Sequence, residues 1–112
     1  MKHSVTFAAN GSQLLGRVPK IDGADRFFAT ILAYSGGGSG FGGGTLTIQL
    51  SSNAGATKID APKPDGNALA FTANGAQNIE LAYGNSQNGI DVYATLSGAT
   101  TPNVVVDIFT NR

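Results

Sequence analysis

Cysteine and tryptophan are absent from this 112-residue chain, and histidine occurs once. Without cysteine there is no disulfide scaffold and no thiolate metal site, and the redox compartment is left open. A Ser-His-Asp triad or a histidine-rich metal centre would have to be assembled around His3, near a chain end that tends to fray, so His3 is expected as a surface residue. Without tryptophan, Tyr34, Tyr83 and Tyr93 make a thin aromatic set for stacking on sugars. Charge is scarce too: Asp, Glu, Lys and Arg make up 12% of the residues, half the usual share, and seven basic residues balance seven acidic ones. No basic stripe is present to neutralise a phosphate backbone, which argues against nucleic-acid binding. No apolar run approaches the ~18 residues of a membrane span. The opening MKHSVTFAANG also lacks the apolar core of a signal peptide, so a protein made and used without Sec export is expected.

What is abundant is glycine, 16 residues, together with strand-like clusters of the 41% hydrophobic residues, so the chain reads as folded and not as disordered. Its length suits one domain over residues 1–112, burying about two-thirds of the unfolded surface. The stretch Arg26–Ser51 organises the rest: RFFATILAY, then SGGGSGFGGG, then TLTIQLS. In the last segment Leu46, Ile48 and Leu50 alternate with Thr45, Thr47 and Gln49, as a strand with one wet side requires. The first segment is apolar on both faces, Phe27, Ala29, Ile31 and Ala33 on one, Phe28, Leu32 and Tyr34 on the other. One face fits a second sheet. The other calls for a partner or a covering loop, and the partner reading marks Phe28, Leu32 and Tyr34 as candidate contacts in a homo-oligomer. Read locally, the two segments form a hairpin whose loop, residues 36–44, holds seven glycines in nine and is expected to be mobile.

Around this centre, Val5 and Phe7 suggest a first strand closed by Asn10-Gly11, and Pro19 makes the following segment an edge. Short strands follow near 57–60 and 68–73, then alternating runs at Asn78–Tyr83, Ile90–Ser97 and Val104–Thr110. About eight short strands separated by turn signals, with no 3.6-residue period, predict an all-β antiparallel sandwich of jelly-roll type. Leu46, Ile48, Leu50, Ile79, Leu81, Val92, Leu96, Val106 and Ile108 are the expected core.

The loop matches G-x-G-x-x-G at Gly38, Gly40 and Gly43, yet a strand follows it where a dinucleotide site needs a helix. Its one large side chain, Phe41, is expected either to anchor the tip in a partner's pocket or to fold back onto its own sandwich; the partner contact is the working expectation. Asp22 with Asp25, and Asp60 with Asp65, lack the ligand density of a calcium site and read as turn residues. Glu80, Asp91 and Asp107 fall between apolar neighbours on strands, where solvated positions are the default over a pair of glycosidase carboxylates. Asn10-Gly11-Ser12 fits a glycosylation sequon and reads as a turn. No catalytic, metal or cofactor-binding residue is assigned, and no cofactor is expected.

Two blocks carry a resemblance: GGGTLTIQLSSNAGATK at Gly42–Lys58 and YATLSGATTPNVVVDI at Tyr93–Ile108. Both resemble small tailed-phage virion proteins, in which a glycine-led strand runs into a short turn and a late strand ends in Ser-Gly-Ala-Thr before a last strand of alternating Val and Ile. The second turn is matched by Ser97-Gly98-Ala99-Thr100, whereas Lys58 stands where such relatives often carry tryptophan. The resemblance implies a non-enzymatic β-sandwich that decorates or cements a capsid, with the major capsid protein or other virion proteins as partners and the virion as its location. A tail, neck or head-fibre part, or a glycan-binding β-sandwich module, is the alternative.

Overall fold

Period-two alternation over short apolar runs, cut by glycine and asparagine turns, gives strands and, among the described residues, no helix. The computed structural model describes residues 2–18, 26–51, 55–61, 67–82 and 90–110, with the side chains at 18, 26–28 and 80–82 outside that description. The described residues hold nine elements: β1 Lys2–Phe7, β2 Gly11–Val18, β3 Arg26–Ser35, β4 Thr45–Ser51, β5 Ile59–Asp60, β6 Ala70–Phe71, β7 Gly75–Ala82, β8 Ile90–Ser97 and β9 Val104–Thr110.

They form two antiparallel sheets packed face to face. One has the order β1-β9-β3-β7, and the other β2-β8-β4-β5, with β6 also paired to β4. The two short elements are one edge strand that has been spliced. Ile48 accepts from Ala61 N (2.9 Å) and donates to Leu69 O (2.9 Å), while Leu69 N closes onto Ala61 O at 2.7 Å. Counted as one strand, they leave eight among the described residues, divided between the sheets in the order of a jelly roll.

One expectation fails here. The segments flanking the glycine loop are not a hairpin: β3 pairs with β7 and β9, whereas β4 pairs with β8, β5 and β6. Sequence proximity suggested pairing, but a loop of nine residues is long enough to carry the chain from one sheet across to the other.

The core lies between the sheets. Leu46, Ile48, Ile79, Val92, Leu96, Val106 and Ile108 are all buried as expected; Leu50 is half-buried at its margin, and the Leu81 side chain is among those not described. Ala29, Ile31 and Ala33 of β3, with Phe7 and Val104, join the core from one sheet, and Phe71 of β6 with the adjacent Leu69 joins it from the other. On β2 the ladder shifts between Leu14 and Gly16, a bulge that leaves Leu15 buried and Leu14 48% exposed. The N-terminal strand is not frayed, since Lys2–Phe7 pairs along its whole length with β9.

Ile48 is fully buried and its backbone holds the splice together. Ile48→Ala is expected to cost about 2–5 kcal/mol in chemical denaturation, with the slope unchanged. A loss below about 0.5 kcal/mol would place the side chain on the surface.

Candidate functional site

Three surface regions hold the residues singled out from the sequence. The first is the outer face of the β1-β9-β3-β7 sheet. There the register sets Leu32 opposite Asp107, Tyr34 opposite Val105 and Thr30 opposite Phe109, so these side chains share one face. Leu32 and Tyr34 are half-buried, and Phe109 is 38% exposed with Lys2 Nζ 5.9 Å from its ring centre. Phe28 lies in the same strand, but its side chain is outside the described residues.

Asp107 sits at the centre of this face and is 5% exposed, which corrects the expectation of a solvated strand position. Tyr34 Oη donates to its Oδ2 at 3.0 Å, and Ser4 Oγ donates to its Oδ1. Strands β1, β9 and β3 therefore each contribute one member of a hydrogen-bonded latch. Two neutral donors satisfy the carboxylate in place of water. That hydrogen bond, with burial and the carboxylate's charge adding to it, raises the Tyr34 phenol above its ordinary value.

The second region is the glycine loop. Residues 36–44 form consecutive turns, with Gly40 N bonded to Gly37 O (3.1 Å), Gly42 N to Ser39 O (2.9 Å) and Gly44 N to Phe41 O (2.8 Å). The loop docks on the segment joining β8 to β9: Gly36 N donates to Asn103 O (2.8 Å), Asn103 N to Gly40 O (2.8 Å) and Thr100 N to Gly42 O (3.0 Å). Such backbone contact admits no side chain. A Cβ on Gly44 would lie 2.7 Å from Ala99 Cβ, and Gly42, at φ +58°, faces the Thr100 carbonyl. Phe41 is 7% exposed and belongs to the protein's own core, so its ring is not free to anchor in a partner. Of the two fates open to Phe41 in the sequence, the inward one is adopted, because docking the loop turns the residue between two glycines under the sheets.

The third region is the outer face of the β2-β8-β4-β5 sheet, which is polar and internally paired. Thr95 Oγ1 donates to Gln49 Oε1 at 2.8 Å and lies 3.1 Å from Ser12 Oγ, and Gln49 Nε2 donates to Asp60 Oδ1 at 3.0 Å. Asp91 is a second correction: it is 4% exposed, gripped by Arg17 through Nε (2.7 Å) and a second nitrogen (3.1 Å). Tyr93, half-buried, has Lys58 Nζ 4.9 Å from its ring centre, and a Cβ on Gly55 would come within 2.6 Å of its hydroxyl.

The remaining candidates are dispersed. His3 is exposed on β1 and lines a cavity of about 320 Å³ with Leu14, Gly16, Arg17, Ile108 and Thr110. Asn10 is the turn residue expected, its amide bonded both to Ala99 N (2.9 Å) and to Ala99 O (3.0 Å). Asp22, Asp25, Asp65 and Tyr83 lie outside the described residues, as does the Glu80 side chain. Among the described residues, no three of His, Cys, Asp or Glu gather as metal ligands would, and no helix is long and apolar enough to cross a membrane.

No family model matches the chain, and no curated protein matches it. Among solved structures it is similar to an IMPa metallopeptidase in complex with T-antigen, at 16% identity and a TM-score of 0.48 over 98% of this chain. The chain spans 12% of the length of that structure, and a likeness this loose carries no argument.

Two outcomes follow from the latch and the loop. Phe41→Ala should cost about 3–5 kcal/mol of stability, read in denaturant unfolding of the isolated protein. Tyr34 keeps its proton longer when folded, so its contribution is complete below the unfolded value near 10 and is lost as pH rises through the higher folded value. Unfolding midpoints should therefore fall more steeply above about pH 10 in the wild type than in Tyr34→Phe. Parallel curves would show that the latch does not couple to stability.

Proposed function

We propose that this chain is a non-enzymatic virion structural protein that decorates or cements an assembled capsid. The observation that carries the reading is that the two blocks of phage-like sequence are one unit in space. Gly42–Lys58 contains β4, Tyr93–Ile108 contains most of β8 and β9, β4 pairs with β8, and Thr100 N bonds Gly42 O across the intervening turns. A resemblance made of turn vocabulary gains weight when its pieces pack together. Jelly rolls build viral capsid proteins and lectins alike, so the architecture agrees with this reading without selecting it.

The attachment surface is the outer face of the β1-β9-β3-β7 sheet. Leu32, Tyr34, Val105 and Phe109 give it apolar area that a shell protein can cover at little desolvation cost. Copies on symmetry-related sites bridge neighbouring capsomers, and modest single contacts add through avidity. A tail, neck or head-fibre position is the same kind of part at lower copy number. The glycan-binding reading is favoured by one observation, the Tyr93 ring bordered by Lys58 and the Gln49–Thr95 hydrogen bonds, although Lys58 covers part of the ring.

Quantitative mass spectrometry of purified virions decides among these. Hundreds of copies are expected for a decoration protein, and Leu32→Lys should reduce occupancy while leaving the far-UV spectrum of the free protein unchanged. A handful of copies moves the protein to the neck or tail. Absence from virions, with glycan binding that Tyr93→Ala abolishes, overturns the virion reading.

A further inference from the structure

A two-sheet sandwich has four edge strands, and each presents a row of unpaired backbone donors and acceptors unless something blunts it. Here the edges are β1 and β7 in one sheet, β2 and the spliced β5/β6 strand in the other. Three are protected. β2 is bulged between Leu14 and Gly16 and carries Arg17, whose side chain is 46% exposed. β1 carries Lys2, and Gln13 Nε2 from β2 donates to its Thr6 carbonyl at 2.9 Å. The β5/β6 edge is only two residues long on either side of its splice, too short to template a long pairing.

β7 differs from all three. Its eight residues, GAQNIELA, hold no proline, lysine or arginine, and it pairs with β3 from Arg26↔Ala82 to Ala33↔Gly75 without a register shift. Its other side has no hydrogen-bonding partner among the described residues. A straight, unbulged, nearly uncharged edge of this length is what natural sheets avoid unless it is used.

We propose that β7 is a self-association edge, pairing antiparallel with β7 of a second copy about a twofold axis and joining two four-stranded sheets into one. The occupant follows from the strand's own sequence. A twofold normal to the sheet keeps core-facing positions opposite core-facing positions, and the two registers that pair the most of the strand are centred on Asn78 and on Ile79. The first register sets position 76 opposite 80, and the second sets 78 opposite 80. The only charged position, Glu80, therefore meets Ala76 or Asn78 and never its own copy. One charge in eight residues gives an acidic or basic foreign strand nothing to select, whereas a second copy matches the edge in length and avoids like-charge contact. This inference does not rest on the virion reading; it holds for the free protein.

The absence of cysteine from the chain makes the test clean. Sedimentation equilibrium should show mass rising from monomer to twice that value with concentration and stopping there, because a twofold interface closes. With a spin label on Ala76→Cys, the two registers place the labelled Cα atoms about 14 Å or about 21 Å apart, from a rise of ~3.4 Å per residue and a strand spacing of ~4.8 Å. A label on Ser12→Cys, on the far edge of the other sheet, should lie roughly 30 Å or more from its mate. Ala76→Lys, Asn78→Lys and Glu80→Lys together should weaken association by about tenfold or more with the strand spectrum retained. Should that variant fail to fold, the label distances in the two single-cysteine proteins still decide. A monomer at every concentration, growth beyond the dimer, or Ser12 labels as close as those at Ala76 would overturn the proposal.

Discussion

Two crossovers between the sheets, β3 to β4 and β8 to β9, meet backbone to backbone at one end of the sandwich. Gly36, Gly40 and Gly42 exchange hydrogen bonds with Thr100 and Asn103 there, and much else is set by that contact. It requires glycine at 42 and 44, since a Cβ at either would meet the opposing segment. It holds Thr101 at φ 43°, a left-handed conformation unusual for a β-branched residue. It brings Phe41 beneath the sheets, where the ring closes the end of the core. It also fixes where β4 and β8 begin to pair, at Thr45 and Ser97, directly beyond the docked turns. Gly42 and Gly44 are required because two backbones touch, whereas Gly38 and Gly43 have open space beside them and serve the positive φ of the turns.

That distinction explains which features were legible in the sequence. Alternation at Thr45–Ser51, Ile90–Ser97 and Val104–Thr110 identified strands, their inward faces and the sandwich, because facing is a local property of period two. The second apolar face of β3 was visible for the same reason. Pairing is not local, and there the reading failed. Nothing in RFFATILAYSGGGSGFGGGTLTIQLS distinguishes a hairpin from a crossover, since the deciding contact lies some sixty residues away at Thr100 and Asn103. Asp91 and Asp107 were misread likewise: each looks like an ordinary outward strand position, and only the strands beside it supply Arg17, or Tyr34 and Ser4.

The two outer faces differ in what it would cost to cover them. On the β2-β8-β4-β5 side the polar groups are already paired with one another, Thr95 with Gln49, Gln49 with Asp60 and Arg17 with Asp91. A partner would have to displace those bonds or leave them intact beneath a dry contact. On the β1-β9-β3-β7 side Leu32, Val105 and Phe109 border the latched Asp107, with the Thr30–Asn78 hydrogen bond beside them, so a partner seated on that apolar strip releases water without displacing the latch. Low overall charge makes this asymmetry matter, because few long-range fields are present to orient a partner before contact.

The splice in the β5/β6 edge has a consequence for how such a protein can vary. Leu69 N closes onto Ala61 O, and Ile48 bonds both ends, so the edge is sealed at its base whatever lies between. The entropy of closing a loop grows only with the logarithm of its length, each doubling costing about 0.6 kcal/mol. Extra sequence placed after Ala61 and before Asn67 would therefore add little to the cost of closing the ladder. That makes the splice a natural port for foreign peptides or whole domains, carried on a scaffold whose folding does not read what is inserted.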